Sequence, residues 1–169
     1  NTGRPQNIIS FINFFNEQFP QNWKFELYGA GQEFESLLKF SKENININNY
    51  LPREDLEEKV KDIPYALICL DYEITIEGFP GKTFDYLNMN KILINFSNPN
   101  SAVSKLIDKY DLGFNIDLKK PEKLETTLQQ MNNHEKVNQI LKNISDFQQN
   151  ISNKEIVSTK YSSLIRSSS

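Results

Sequence analysis

Residues 77 to 85 read EGFPGKTFD and hold the side chains of this chain best suited to bind a charged, hydroxyl-rich molecule. Two carboxylates, Glu77 and Asp85, flank a turn of glycine and proline that is followed by Lys82. A strand-like apolar run precedes the segment, and a helix-like run follows it. A helix start offers backbone N–H groups and partial positive charge to an anion, while carboxylates accept hydrogen bonds from hydroxyls. The pattern therefore indicates a site for a phosphorylated sugar.

Lys82 and the two carboxylates also have a simpler interpretation. Acidic residues near a helix start are favoured by the helix dipole, so Glu77 and Asp85 can be surface charges. A lysine at the same place is disfavoured unless an anion binds nearby. This local conflict favours a functional site, because the segment directly follows a predicted strand, at the end of the strand where ligands are expected.

Strand-like and helix-like runs alternate over residues 22 to 118, after an amphipathic helix at 5 to 19 that Pro20 ends. Strands are predicted at 23–27, 45–49, 65–70, 91–96 and 114–116, and helices at 34–40, 53–62, 84–89 and 101–110. We expect Ser101 to cap the last of these helices and Gly113 to end it. The strand at 65–70 is apolar on both faces, which is typical of a central parallel strand.

This alternation predicts an α/β fold with a Rossmann-like parallel sheet, helices on both faces and a helical C-terminal tail. We expect one domain over residues 1 to 169, with the α/β core at 1–118 and the tail at 119–169. Ligands of such sheets bind at the carboxyl ends of the strands, where both residues 77–85 and the turn Gly29-Ala30-Gly31 fall. Taken alone, this short G-x-G motif is explained more simply by a tight turn than by a ligand-binding loop.

Charge and composition exclude several classes of function. A formal net charge of -3 gives no general attraction for nucleic acid or an anionic membrane. The single histidine, His134, lies in a polar context and is expected at the surface, which makes a histidine-based metal site or triad hard to build. Asp71 and Glu73 look superficially like a metal-binding D-x-D, but a solvated strand end is the simpler interpretation. The one cysteine, Cys69, is expected to be a small buried apolar residue.

The motif and its companions resemble the C-terminal, donor-binding domain of GT-B fold glycosyltransferases, especially the retaining, family 4-like group with an E-x7-E motif. Asp85 stands where that motif has its second glutamate. Residues 25–31 (FELYGAG) look like the family's strand and G-x-G, and residues 49–52 (NYLP) like its second strand and turn. Residues 86–94 look like the helix end and strand that follow the motif. The resemblance covers about residues 3 to 117.

The resemblance implies a role for each matching residue. Glu77 would bind hydroxyls of the donor hexose, and Asp85 those of the nucleotide ribose. The family's arginine and lysine neutralise the diphosphate; here Arg4 matches the arginine, no lysine follows in residues 5–11, and Lys82 is a substitute. The expected catalytic residues are thus Glu77, Arg4 and Lys82. The expected donor-binding residues are Gly29, Gly31, Tyr50 and Leu51, the last two near the base, together with Gly78, Phe79, Gly81 and Asp85.

The resemblance further implies transfer of a hexosyl unit from a nucleotide-diphosphate sugar, with retention and without a cofactor or essential metal, in polysaccharide or glycoconjugate biosynthesis. The expected partners are the sugar donor, an N-terminal acceptor domain not contained in this sequence, and a saccharide or lipid-linked acceptor, but no nucleic acid. The chain would then be part of a larger cytoplasmic enzyme that contacts the membrane peripherally.

Two alternatives stay open from the sequence. The missing lysine after Arg4 and the aspartate at position 85 favour a non-catalytic partner, or degenerate transferase fold, that stabilises another subunit. A flavodoxin-like or receiver-like regulatory domain is disfavoured, because a glycine turn stands after the first strand where such domains have an acidic cluster.

Overall fold

The computed structural model describes residues 7–31, 34–73 and 78–151. In chain order the elements are α1 (Ile8–Gln18), β1 (Phe25–Gly29), α2 (Phe34–Leu38), β2 (Ile45–Asn49), α3 (Arg53–Lys59), β3 (Tyr65–Cys69), α4 (Lys82–Asn88), β4 (Ile92–Phe96), α5 (Ala102–Tyr110), β5 (Gly113–Ile116), a 3₁₀ helix (Pro121–Lys123), α6 (Leu124–Met131) and α7 (His134–Ile151).

The predicted fold class is confirmed: strands and helices alternate, the strands are parallel, and helices follow the last strand. The strands form two small sheets, one of β1 and β2 and one in the order β3-β4-β5. In the first sheet Phe25 is opposite Ile45 and Gly29 is opposite Asn49. In the second, Leu93 is opposite Gly113 and Phe96 is opposite Ile116.

The described residues divide into two compact units. Residues 7–31, 34–63 and 69–73 form the first unit, and residues 64–68 and 78–151 form the second. The boundary falls near the end of β3. The expectation of a single domain over residues 1 to 169 stays a prediction.

Aromatic rings make up the core of the first unit. Phe11 and Phe15 lie on the buried face of α1 and contact Phe25 of β1, with ring centroids 5.3 and 5.9 Å away. Phe15 also stacks on Phe19 at 4.8 Å, and Phe19 meets Trp23 edge-on at 5.7 Å. The helical spacing of these phenylalanines places them on one side of α1, where they cover the β1–β2 sheet. Cys69 is buried, as expected, and its Sγ lies 3.4 Å from the backbone oxygen of Asn7.

The centre of the second unit is β4, because all five of its residues are buried and it pairs with a strand on each side. The expectation that residues 65–70 form the central strand is wrong in this sheet: β3 pairs with β4, and three of its five residues are only partly buried. Gly113 explains the close approach of β5. A Cβ at this position would lie 1.9 Å from the backbone oxygen of Leu93, so only glycine fits.

The predicted start of α5 is confirmed, but the residue predicted to end it is wrong. Ser101 caps the helix, since its Oγ accepts a hydrogen bond from the backbone N–H of Ser104 at 3.1 Å. At the C-terminal end, the expectation that Gly113 ends the helix is wrong. Asp111 takes the left-handed conformation with φ 50°, and Gly113 is already the first residue of β5.

The C-terminal helices are attached to the sheet layer by side-chain contacts. Lys136 of α7 forms an ion pair with Asp111 at 2.7 Å, and Asn143 donates to the backbone oxygen of Asp111 at 3.1 Å. Gln148 donates to the backbone oxygen of Leu87 at the end of α4. The predicted helical tail is therefore part of the second unit over its described length. Within the described ranges, no helix has the length and apolar character required to cross a bilayer.

Candidate functional site

The candidate residues occupy the ends of strands. In the second unit the backbone N–H of Ile92 donates to the oxygen of Pro64 at 2.9 Å, so β3 and β4 start side by side. Since β4 and β5 are parallel as well, the carboxyl ends of all three strands share one edge. The parallel pair β1 and β2 gives the first unit a carboxyl edge of its own. These are the edges at which parallel α/β sheets bind ligands.

At the edge of the first unit the structure brings together four predicted residues. Gly29 ends β1 beside Asn49 of β2, so the glycine turn is adjacent to Tyr50 and Leu51. Gly31 has φ 141°, a conformation that side chains rarely allow, and its oxygen accepts from the N–H of Phe34 at 3.1 Å, where α2 starts. Tyr50 is 67% exposed, which leaves an aromatic face available at this edge.

Tyr28 and Glu26 precede this turn on β1. The Tyr28 hydroxyl donates to Glu26 Oε2 at 2.7 Å. Partial burial, followed by this hydrogen bond and the charge of Glu26, raises the pKa of Tyr28 to about 12. The single O–H of Tyr28 is therefore committed to Glu26, within the strand that leads into the glycine turn.

At the edge of the second unit lie the other five predicted residues that are described. Gly78, Phe79 and Gly81 form the approach to α4, which starts at Lys82 and carries Asp85 in its first turn. The rings of Phe79 and Phe84 meet edge-on at 5.5 Å, which fixes the approach against the helix. A Cβ on Gly81 would have no heavy atom of the described residues within 4 Å, so the backbone at this point faces open space among them.

Asp85 and its neighbour Tyr86 face different surroundings. Asp85 is exposed, whereas Tyr86 is partly buried. Burial, together with the negative charge of Asp85, raises the pKa of Tyr86 above its usual value. Asp85 thus presents a carboxylate at the surface of α4, where it can accept hydrogen bonds from hydroxyls.

Thr83, one residue after the helix start, was not singled out by the sequence. It is completely buried, and its Oγ1 has no hydrogen-bond partner within the described structure. A buried hydroxyl without a partner is costly and uncommon in native proteins. Its position places a buried polar atom in the first turn of α4, between Lys82 and Asp85.

Glu77 and Arg4 lie outside the described residues, so their predicted roles stay predictions. Of the other predicted site residues, Gly29, Gly31, Tyr50 and Leu51 belong to the first unit. Gly78, Phe79, Gly81, Lys82 and Asp85 belong to the second.

The carboxyl end of β4 carries a group of polar side chains, most of them buried, that was not predicted from the sequence. We call it the polar network; it comprises Asn95, Ser97, Ser101, Ser104 and Asn115. A signal was present in the sequence, because Asn95 and Ser97 alternate with Phe96 in an otherwise apolar strand and so share one face of the sheet.

The described ranges contain no group of three or more histidine, cysteine or acidic residues arranged to hold a metal ion. Asp71 accepts a hydrogen bond from the backbone N–H of Glu73 at 3.0 Å, so this pair forms a local turn. His134 is exposed at the start of α7, as expected.

The second unit thus offers a hydroxyl acceptor at Asp85, open backbone at Gly81 and the cation of Lys82, and the first unit offers the exposed ring of Tyr50. Each of these is a kind of group that recognises polar organic ligands. The chain matches no model of a known protein family, no curated protein and no solved structure.

Proposed function

We propose that this chain binds the nucleotide-diphosphate sugar of a hexosyltransferase, as the donor-binding part of a glycosyltransferase in polysaccharide or glycoconjugate biosynthesis. One observation carries the proposal. Asp85 lies exposed in the first turn of α4, at the carboxyl edge of a parallel sheet, eight positions after Glu77. This is the spacing of the E-x7-E motif in the fold context in which that motif occurs.

Each of the proposed site residues has a different role in the transfer of the hexosyl unit. Breaking the bond between an anomeric carbon and a phosphate oxygen passes through an oxocarbenium-like state and leaves a diphosphate. Lys82 and Arg4 would stabilise that diphosphate by their charge. Glu77 would hold hydroxyls of the hexose, and Asp85 those of the ribose. The open backbone at Gly81 allows close approach of the donor.

The proposal also includes transfer with retention of the anomeric configuration, a saccharide or lipid-linked acceptor, and a peripheral location at the membrane. The acceptor groups would come from a further domain, because enzymes of this type close two Rossmann-like domains around the donor. The chain alone would therefore bind the donor weakly and turn it over slowly. No metal ion or cofactor is needed for these steps as proposed.

A second candidate is a non-catalytic partner with a degenerate transferase fold. Two observations favour it: no lysine follows Arg4 within residues 5–11, and aspartate replaces the second glutamate. Asp is one methylene shorter than Glu, so its reach toward a ribose is reduced. Such a partner would stabilise another subunit without transferring sugar.

Calorimetric titration of the chain with nucleotide-diphosphate sugars that differ in base and hexose tests donor binding. We expect heat and a thermal shift with at least one donor, with a Kd of roughly 0.1–1 mM, as suits a half-site. No heat and no thermal shift at millimolar donor would contradict the proposal. Binding without transfer in a protein that also carries the acceptor domain would favour the non-catalytic partner.

A further inference from the structure

The polar network is unusual because four of its five members are buried at the end of the sheet's central strand. Asn95, Ser97, Ser101 and Ser104 are each no more than 4% exposed. Asn95 and Ser97 lie on β4 and just after it, Ser101 and Ser104 lie at the start of α5, and Asn115 lies opposite Asn95 on β5. The network thus joins three elements at the carboxyl edge of the second unit.

Its hydrogen bonds form a connected set. Asn95 Nδ2 donates to Ser104 Oγ and to Asn115 Oδ1, both at 2.8 Å, while Asn95 Oδ1 accepts from Ser97 Oγ at 3.0 Å. Ser97 Oγ is 2.9 Å from Ser101 Oγ. Asn115 Nδ2 donates to the oxygen of Ser104 at 3.1 Å and to Asp108 Oδ1 at 2.8 Å.

Stability alone does not account for this arrangement. Replacing a buried polar pair by apolar groups of the same shape is often neutral or stabilising, whereas a connected and satisfied network fixes one conformation. The conformation fixed here is that of the loop at residues 97–101. The oxygen of Asn98 accepts from Ser104 Oγ and from the N–H of Ser101, each at 2.9 Å, and Asn98 Oδ1 accepts from the N–H of Asn100 at 2.9 Å.

This loop leaves β4 at the same edge from which the chain approaches α4. The C-terminal end of α4 leads directly into β4, because Lys91 N–H donates to the oxygen of Tyr86 just before that strand starts. The helix therefore returns from the carboxyl edge to the amino edge, and its first turn, with Asp85, lies on the carboxyl side. The loop at residues 97–101 and the turn at residues 78–81 are parts of one edge.

We propose that the loop at residues 97–101 contacts the bound donor and that the polar network positions it, with Asn95 and Asn115 acting as positioning residues. This inference rests on the proposed function. The loop supplies short polar groups, including the exposed side chain of Asn100, and such groups suit the hydroxyls of a sugar or ribose. Holding it in one conformation lowers the entropy cost of binding.

Two asparagine variants provide the test. Asn115→Ala removes hydrogen bonds to Asn95, Ser104 and Asp108 in the network. Asn143→Ala is the matched control: it is also partly buried, and it removes two hydrogen bonds to Asp111 and one from Gln139, near the other end of α5. Donor affinity is measured by calorimetry on the whole chain, unfolding midpoints by urea, and amide exchange at residues 98–101 with and without donor.

We expect Asn115→Ala to weaken donor binding roughly tenfold, the equivalent of about one lost hydrogen bond, and Asn143→Ala to leave the affinity within about twofold. Both should lower the urea midpoint, and donor should slow amide exchange at residues 98–101 in the wild type. If Asn115→Ala does not fold, Ser97→Ala replaces it with the same expectation. Unchanged donor affinity in Asn115→Ala, equal loss in both variants, or no donor effect on loop exchange would overturn the inference while leaving the proposed function intact. Absence of donor binding by the wild type would overturn both.

Discussion

The β1–β2 sheet is covered by aromatic rings, whereas the β3-β4-β5 sheet has a mostly aliphatic centre with buried polar side chains at one end. In the first unit, Phe11 and Phe15 of α1 contact Phe25 on the sheet. In the second, the residues of β4 are all buried, and hydrogen bonds among side chains continue from its carboxyl end into α5. Large rings cover a two-stranded sheet with few residues, because each ring buries much area.

The same contrast appears at the two carboxyl edges. The first unit ends in a backbone turn that depends on the positive φ of Gly31, next to the exposed ring of Tyr50. The second unit ends in a loop held by side-chain hydrogen bonds. The first edge is therefore shaped by backbone conformation, and the second by hydrogen bonds among side chains.

The largest effect we expect comes from removing one ring of the first core. Phe15→Ala should lower the free energy of unfolding by about 4 kcal/mol, because a buried phenylalanine truncated to alanine leaves a cavity. Trp23, the chain's one tryptophan, contacts Phe19 and reports this unfolding by its fluorescence. Phe14 is only partly buried, so Phe14→Ala is the control and should cost clearly less. Equal losses would show that the rings of α1 do not form the core as described.

The next effect concerns the close pairing of β4 and β5. Gly113→Ala should destabilise the protein by roughly 3 kcal/mol, since the new methyl group meets the backbone of Leu93 and the strands must separate. Gly81→Ala adds the same methyl group where there is space and should change stability by less than about 1 kcal/mol. Urea unfolding followed by circular dichroism measures both. A tolerated Gly113→Ala would contradict the β4–β5 register.

A smaller loss is expected at the start of α5. Ser101→Ala removes the helix cap and one member of the polar network and should cost about 1–2 kcal/mol. Ser145→Ala, within α7, should change the free energy of unfolding by less than about 0.5 kcal/mol. If Ser101→Ala were as stable as the wild type, the polar network would not contribute to the stability of the second unit, and this difference between the two units would be wrong.

The smallest effect is a pH dependence of the first unit. Tyr28 has a pKa of about 12 in the folded chain, above the usual value near 10, so the folded state binds this proton more tightly. Its contribution to stability is complete below pH 10 and is lost as the pH rises toward 12. Between pH 10 and pH 12 the urea midpoint should fall less steeply in Tyr28→Phe than in the wild type. Glu26→Gln should also make this fall smaller. An unchanged slope in Tyr28→Phe would contradict the Tyr28–Glu26 contact.

Much of the fold follows from local patterns in the sequence. The strand at 45–49 was predicted with its observed bounds, and Ser101 was recognised as a cap because serine before an apolar run has a local physical meaning. The order of strands within a sheet is not local. The apolar residues of 65–70 predict a central strand, whereas pairing places β4 at the centre of the β3-β4-β5 sheet.

The site could be predicted only where a residue type implies a conformation or a charge. Gly31 was singled out as part of a turn, and its positive φ agrees. The end of α5 was assigned to Gly113 because glycine commonly ends helices, yet Asp111 takes that conformation and Gly113 is required for strand packing. The polar network depends on contacts between residues up to 20 positions apart, as from Asn95 to Asn115, which a single sequence does not reveal.

The proposed function requires that the carboxylates at positions 77 and 85 bind a sugar donor. The direct measurement is the donor Kd, by calorimetry, of Glu77→Gln and Asp85→Asn beside the charge-matched controls Glu73→Gln and Asp146→Asn, whose side chains are exposed. We predict that both site variants lose at least tenfold in affinity, with unfolding midpoints unchanged, while both controls stay within twofold of the wild type. Equal donor affinity in all five proteins would contradict the account.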